Sequence, residues 1–206
     1  HIPGKIKDTI FIMAHTCHPG QAGDGIACIA VANEVFFWLK NQKNLKYSYR
    51  FIYGPEYWGG ATWLEHAPVE DVSNLKFGVF LDMLSTHEPL GFQESMQGNS
   101  LFDRVTLNVF KSHKEVYIHR EFRKLWGNDE TFYNGAGFKI PTLGIGRGMH
   151  REYHYNTDNL ENMSLYNMEE TAWILMRIVE VIESDYIPVL SYMGPLYLSR
   201  YGLFIN

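Results

Sequence analysis

The chain has 206 residues, 46% hydrophobic and 20% charged, the balance of a folded domain with a sizeable core rather than of a disordered segment. A formal net charge of -5 offers no basic surface to follow a nucleic-acid backbone, so nucleic acid is a poor first partner. Two cysteines, Cys17 and Cys28, cannot build a disulfide framework and form no C-x-x-C pair, which favours a reducing, cytoplasmic setting; no apolar run reads as a membrane span.

The first predicted element is a buried strand over 9–14, followed by a helix over about 25–40 whose apolar face includes Ile26, Ile29, Ala30, Val35, Phe36 and Phe37. A strand over 47–53 and a short helix over 58–66 come next, then an apolar strand over 77–81 and an amphipathic helix over 100–112. A short helix over 131–134, a strand over 141–145 and a closing helix over 168–182 complete the pattern. Alternating strands and helices predict an α/β domain, a three-layer α/β/α sandwich around a mixed, mostly parallel sheet. Without internal repeats or low-complexity linkers, residues 1–206 read as a single domain. The abrupt start at His1 leaves room for it to be part of a longer chain.

In such sheets ligands gather at the carboxyl ends of the strands. Polar residues follow four of the apolar runs. The first leads into His15-Thr16-Cys17-His18 and then Asp24, the second into Gly54-Pro55-Glu56, the third ends on Asp82, and the fourth leads to Tyr153-His154-Tyr155 and Asp158. A core strand has no packing reason to finish on a charged residue, and two histidines with several carboxylates are the donor set of a zinc hydrolase, imidazole and carboxylate holding the ion while a spare carboxylate takes a proton from water. Each residue alone has a plainer reading. Asp24 could cap the following helix, Asp82 solvate a strand end, Glu56 sit at the surface, and His18 cap the Pro19-Gly20 turn. Asp129 and Glu130 precede a helix and suit its dipole, or one of them faces a substrate amine. Arg147 and Arg151, read as loop residues, suit a substrate carboxylate or solvent; Trp58, Trp126, Tyr153 and Tyr155 wall a pocket or fill the core.

The run Ile12-Met13-Ala14-His15-Thr16-Cys17-His18-Pro19 with Gly23-Asp24-Gly25 resembles the first metal-binding segment of the di-zinc aminopeptidases related to bacterial leucyl aminopeptidase. Pro55-Glu56-Tyr57-Trp58-Gly59-Gly60 resembles their Glu-Glu-x-Gly segment, Leu81-Asp82-Met83 their Leu-Asp-Met, and Tyr153-His154-Tyr155 with Asp158 their closing Tyr-His-Thr and following Asp. A bacterial subfamily with an aminopeptidase-like domain is more similar still, sharing the His-x-Cys-His-Pro form, a segment like Gly127-Asn128-Asp129-Glu130 and a tail like Gly194-Pro195 with Arg200-Tyr201-Gly202-Leu203.

The resemblance implies a zinc peptidase fold in which His15, Asp24, Asp82 and His154 bind metal, Asp24 as the bridge, and Glu56 is the general base. His18, Cys17, Asp129, Glu130, Arg147 and Tyr153 are further candidates for metal or substrate contact. Tyr57 stands where these relatives carry a metal-binding Glu, which implies one tightly held Zn2+, with a pair as the alternative. The expected activity is hydrolysis of an amide in a small peptide or aminoacyl substrate. The rivals are a zinc-dependent acyl transferase or cyclase and a binding module without catalysis. Oligomeric state is not legible.

Overall fold

Six strands form one sheet in the order β2-β1-β3-β6-β4-β5. They are β1 (Thr9–His15), β2 (Ser48–Gly54), β3 (Leu75–Asp82), β4 (Leu90–Gln93), β5 (Ile118–Arg120) and β6 (Thr142–Arg147). β1 pairs parallel to β2 and β3, and β3 parallel to β6; β4 runs antiparallel to β6 and parallel to β5. The computed structural model describes residues 1–16, 18, 20–113, 115–191, 193–194 and 197–203. Cys17, Pro19 and Pro195, three positions of the resemblance above, lie outside the described residues.

Helices cover both faces, so the three layers expected from the alternating pattern are present. α1 (Ala27–Lys40), α4 (Leu101–His113) and α6 (Leu165–Ser184) pack on one face, joining Ile10, Ile12, Val79, Leu81, Leu143 and Ile145 of the central strands in the larger core. α2 (Trp58–His66), α3 (Val69–Ser73) and α5 (Glu130–Asn134) flank the other face, where Phe11, Met13, Phe80, Leu64 and Tyr133 form a second core. Alternate side chains of one strand point to opposite faces, so Phe11 and Met13 serve one core while Ile10 and Ile12 serve the other.

Two expectations about the first helix need correction. Ile26, Ala30 and Phe37, assigned to its apolar face, are exposed. The stretch Ala22–Lys40 also has the length and mean hydropathy, 1.4, of a membrane span. Its apolarity has a packing cause: Ala27, Cys28, Val31, Ala32, Val35 and Leu39 are buried between the sheet and α6.

Parallel strands β1, β2 and β3 end side by side, which sets the positions for chemistry. His15 pairs in register with Gly54, and Met13 with Phe80, so His15 and Asp82 finish neighbouring strands at about the same height. A Cβ on Gly54 would sit 2.6 Å from Gly59 Cα. Only glycine at both positions lets the chain turn this tightly from β2 into α2, and that turn carries Glu56.

Candidate metal centre

Asp24 lies at a kink in the turn Ala22–Ile26 that leads into α1, its backbone (φ -94°, ψ 85°) and that of Gly25 (φ 121°, ψ -68°) non-helical. Neither the turn nor α1 has a side-chain cap, so the capping reading of Asp24 does not hold. Its carboxylate faces the strand ends instead. His15 Nε2 is 3.2 Å from Asp24 Oδ1 and 3.5 Å from Asp82 Oδ1, with all three side chains almost fully buried. The other oxygen, Asp24 Oδ2, is 3.2 Å from His18 Nδ1 and 3.2 Å from His154 Nε2. The four expected ligands converge, and His18 joins them.

Burial disfavours a charged His15, but the carboxylates of Asp82, Asp24 and Glu56 outweigh it and hold the imidazole pKa above its usual value. Burial, reinforced by the charge of Asp82, raises the carboxyl of Asp24. Negative charge crowded around a buried imidazole is the electrostatic setting a cation relieves. Three observations bear on whether zinc fits. Asp24 Oδ2 is buried and receives no hydrogen bond among the described residues. Donor separations of 3.2 to 3.5 Å match the edge of a tetrahedron with ligands at about 2.1 Å. His15, His18 and Asp24 each place one ligand atom within 4.8 Å of the others.

Glu56 is half-buried at the turn after β2, close enough for its charge to raise His15, and its Oε1 accepts a 2.8 Å hydrogen bond from Asn128 Nδ2. Tyr57, in a left-handed backbone with φ 60°, donates its hydroxyl to Gly127 O at 3.1 Å. Tyr153 stacks on the His154 ring with centroids 3.8 Å apart, and Phe80 stacks on His15 at 5.6 Å.

The remaining candidates lie as follows. Asp129 is buried and its Oδ2 accepts from Tyr57 N–H at 3.0 Å, tying the turn that carries Glu56 to α5. Glu130 is fully buried, accepting from Asn128 N–H and from Gln93 Nε2 at 3.0 Å; burial pushes its carboxyl up to about 7. Arg147 is not a loop residue. It ends β6, buried, with its guanidinium donating to Leu84 O, Glu88 O, Asn167 O and the Glu170 carboxylate, so it is engaged within the fold rather than open to a substrate carboxylate. Trp126 lies against β6, where Cβ atoms on Gly144 and Gly146 would come within 2.8 and 2.9 Å of its ring. Trp58 and Tyr155 are exposed, and Arg151 faces solvent.

Two contributors have no signature of their own in the sequence. Asp158, quoted only as part of a motif, receives Gly23 N–H at 2.8 Å on one oxygen and Asp24 N–H at 3.1 Å on the other, and its backbone carbonyl receives Ala22 N–H. It therefore clamps the turn that presents Asp24. A Cβ on Gly23 would come 2.9 Å from its Oδ1, which explains the glycine there. Asn128 orients Glu56; neighbouring residues do not announce this, because the partner is 72 positions away.

With this geometry in place, the family model described as Domain of unknown function (DUF4910) matches residues 1–185. The chain belongs to this family. A Clostridium acetobutylicum relative, provisionally described as a polysaccharide biosynthesis protein with an aminopeptidase-like domain, is 25% identical over 187 residues, covering 90% of this chain and 42% of its own length. The chain thus spans under half of that relative. A crystal structure of a provisionally assigned peptidase from the same species superposes with a TM-score of 0.84 at 24% identity, over 89% of this chain and 43% of that one. A zinc aminopeptidase from Bacillus subtilis gives 0.73 at 18%, over 88% and 48%, and a glutaminyl cyclase from Porphyromonas gingivalis 0.68 at 16%, over 85% and 72%. The chain shares its α/β fold with zinc aminopeptidases and glutaminyl cyclases.

Proposed function

We propose that the domain is a zinc-dependent hydrolase of amide bonds acting on small peptide or aminoacyl substrates. The observation that carries this reading is the buried cluster of His15 and Asp82, which end β1 and β3, with Asp24 of the turn before α1, and Glu56 beside it in the turn after β2. His15, Asp24 and Asp82 would hold the tight zinc, two carboxylates and an imidazole being a sufficient set of protein ligands with room left open. Bound there, zinc polarises a carbonyl and lowers the pKa of water.

The chain's own residues supply the rest. Asn128 orients Glu56 through the 2.8 Å bond to Oε1, so that the carboxylate would receive a proton from the attacking water and pass it to the leaving nitrogen. Asp158 holds the turn that aims Asp24, and Phe80 packs flat on His15 to fix its ring. Aminoacyl amides and dipeptides assayed with the zinc-loaded protein test the reading: turnover lost in Glu56→Gln while zinc is retained supports it, and wild-type turnover in that variant overturns the base assignment.

A cyclase or acyl-transferase reading is favoured by the superposition on glutaminyl cyclases. It separates from hydrolysis in the same assay, because an N-terminal glutaminyl peptide would then release ammonia with its peptide bonds intact.

A further inference from the structure

Glu56 and its turn are gripped by one short segment ahead of α5. Tyr57 N–H donates to Asp129 Oδ2 at 3.0 Å, and Asn128 Nδ2 donates to Glu56 Oε1 at 2.8 Å. The amide of Asn128 has a single orientation, because its Oδ1 accepts Asp129 N–H at 2.8 Å and a backbone N–H can only donate. Its NH2 group therefore faces Glu56, where it favours the ionised carboxylate that a base needs. Asn128 is itself tethered through its backbone. Its N–H points at both oxygens of Glu130, 3.1 and 3.0 Å away, and Gln93 Nε2 donates to Glu130 Oε1 at 3.0 Å. Asn128, Glu130 and Gln93 are all buried. A fully buried carboxyl is costly, and here it serves as the acceptor for two buried donors, one of which belongs to the residue that holds the base.

We propose that Glu130 is a positioning residue for Glu56, acting through Asn128 and anchored to the sheet by Gln93. The inference rests on the reading of Glu56 as the base of an amide hydrolase. Gln93 pairs with Gly144 within the sheet, so the bonds run from the sheet interior to the turn after β2. Without the Glu130 oxygens, Asn128 N–H is a buried donor with its acceptor removed, and the segment shifts to satisfy it. The amide then leaves its line to Glu56. A base displaced by about 1 Å slows the chemical step by up to about 100-fold, while contacts that only bind substrate are untouched. The loss therefore falls on kcat rather than KM. A protonated carboxyl or a glutamine keeps an acceptor oxygen at this place, so Glu130 supplies position rather than charge.

Hydrolysis of aminoacyl amides by the zinc-loaded full chain, read together with the nitrogen–proton NMR signals of the Asn128 side-chain amide, tests this. Those signals are assigned by their loss in Asn128→Asp. Glu130→Met, which keeps the volume without the acceptors, and Glu130→Ala should both shift them, and should lower kcat by about 100-fold with KM changed by less than about threefold. Circular dichroism selects whichever of the two is folded. Glu130→Gln should leave the signals and kcat close to wild type. Asn128→Ala should lower kcat as much as the loss of Glu130 does, and combining the two should lower it no further, since they act in series. Effects that multiply in the double variant overturn the proposal, as do unshifted amide signals in a folded Glu130→Met or Glu130→Ala chain. A kcat in Glu130→Gln as low as in Glu130→Met also overturns it, in favour of a charge effect. A wild type without turnover overturns the hydrolase reading and this proposal with it. That failure is told apart from the others by the amide signals, which need neither zinc nor substrate and would still shift when Glu130 is removed.

Discussion

The two halves of the candidate metal cluster are built from different material. His15 and Asp82 are the last residues of β1 and β3, buried among the side chains of the sheet, whereas His18 and His154 sit on loops in left-handed backbone and reach Asp24 from the solvent side. Strand-borne donors arrive in place as the sheet forms, with little left to order. Loop-borne donors are placed by their neighbours, His18 and His154 by their contacts with each other and with Asp24, and His154 also by stacking on Tyr153. The contrast teaches that strand ends and loops place their side chains with different support, a difference that metal affinity, where an ion binds, is expected to follow.

The largest effect expected is on Glu56, which belongs to neither half. Glu56→Gln should lower turnover about 1000-fold or more with zinc content unchanged, measured by hydrolysis of aminoacyl amides alongside elemental analysis. The two halves separate next: His15→Ala should lose the tightly held zinc on dialysis, while His154→Ala should keep it and lose only zinc taken up in excess. Equal losses would erase the distinction between strand and loop.

Glu130 sharpens it through stability. Its carboxyl titrates at about 7 in the fold against an ordinary 4.5, so the folded state retains a proton that the unfolded chain releases. The associated stability is complete below the ordinary value and is lost as pH rises through about 7, a difference of roughly 3 kcal/mol. Urea midpoints between pH 5 and 8 should fall in the wild-type chain and stay nearly level in Glu130→Gln. A wild-type profile that rises over this range would contradict the burial argument. Asp158→Asn is expected to have the smallest effect, a 10- to 100-fold weaker zinc affinity on the order of outer-ligand substitutions, with the fold intact by circular dichroism.

Much of this architecture is legible from hydrophobic period alone. β1, β2, β3 and β6 and helices α1, α4 and α6 are long enough for the pattern to show, and His15, Glu56 and Asp82 stand out because charge follows directly on apolar strands. β4 and β5, at four and three residues, are too short to carry a period, and Gly91 interrupts the first of them. Arg147 is misread because Gly144-Ile145-Gly146-Arg147-Gly148 has the composition of a loop, while its glycines in fact make room for Trp126 on a strand. Asp129 and Glu130 sit where helix charges are common, and only the tertiary contacts show that one ties down the Glu56 turn and the other is buried. Asp158 and Asn128 act on partners far along the chain, so local pattern cannot assign their roles.

The clamp between Asp158 and the Asp24 turn joins residues 134 positions apart. Closing a loop of that length is among the costlier entropic steps of folding, and the bridging carboxylate is not aimed until it is closed. Zinc capture should thus trail the assembly of the sheet. In a refolding experiment with Co2+, the appearance of a cobalt absorption band would report the closing of the clamp that aims Asp24, a clock for a late stage of folding that needs no added label.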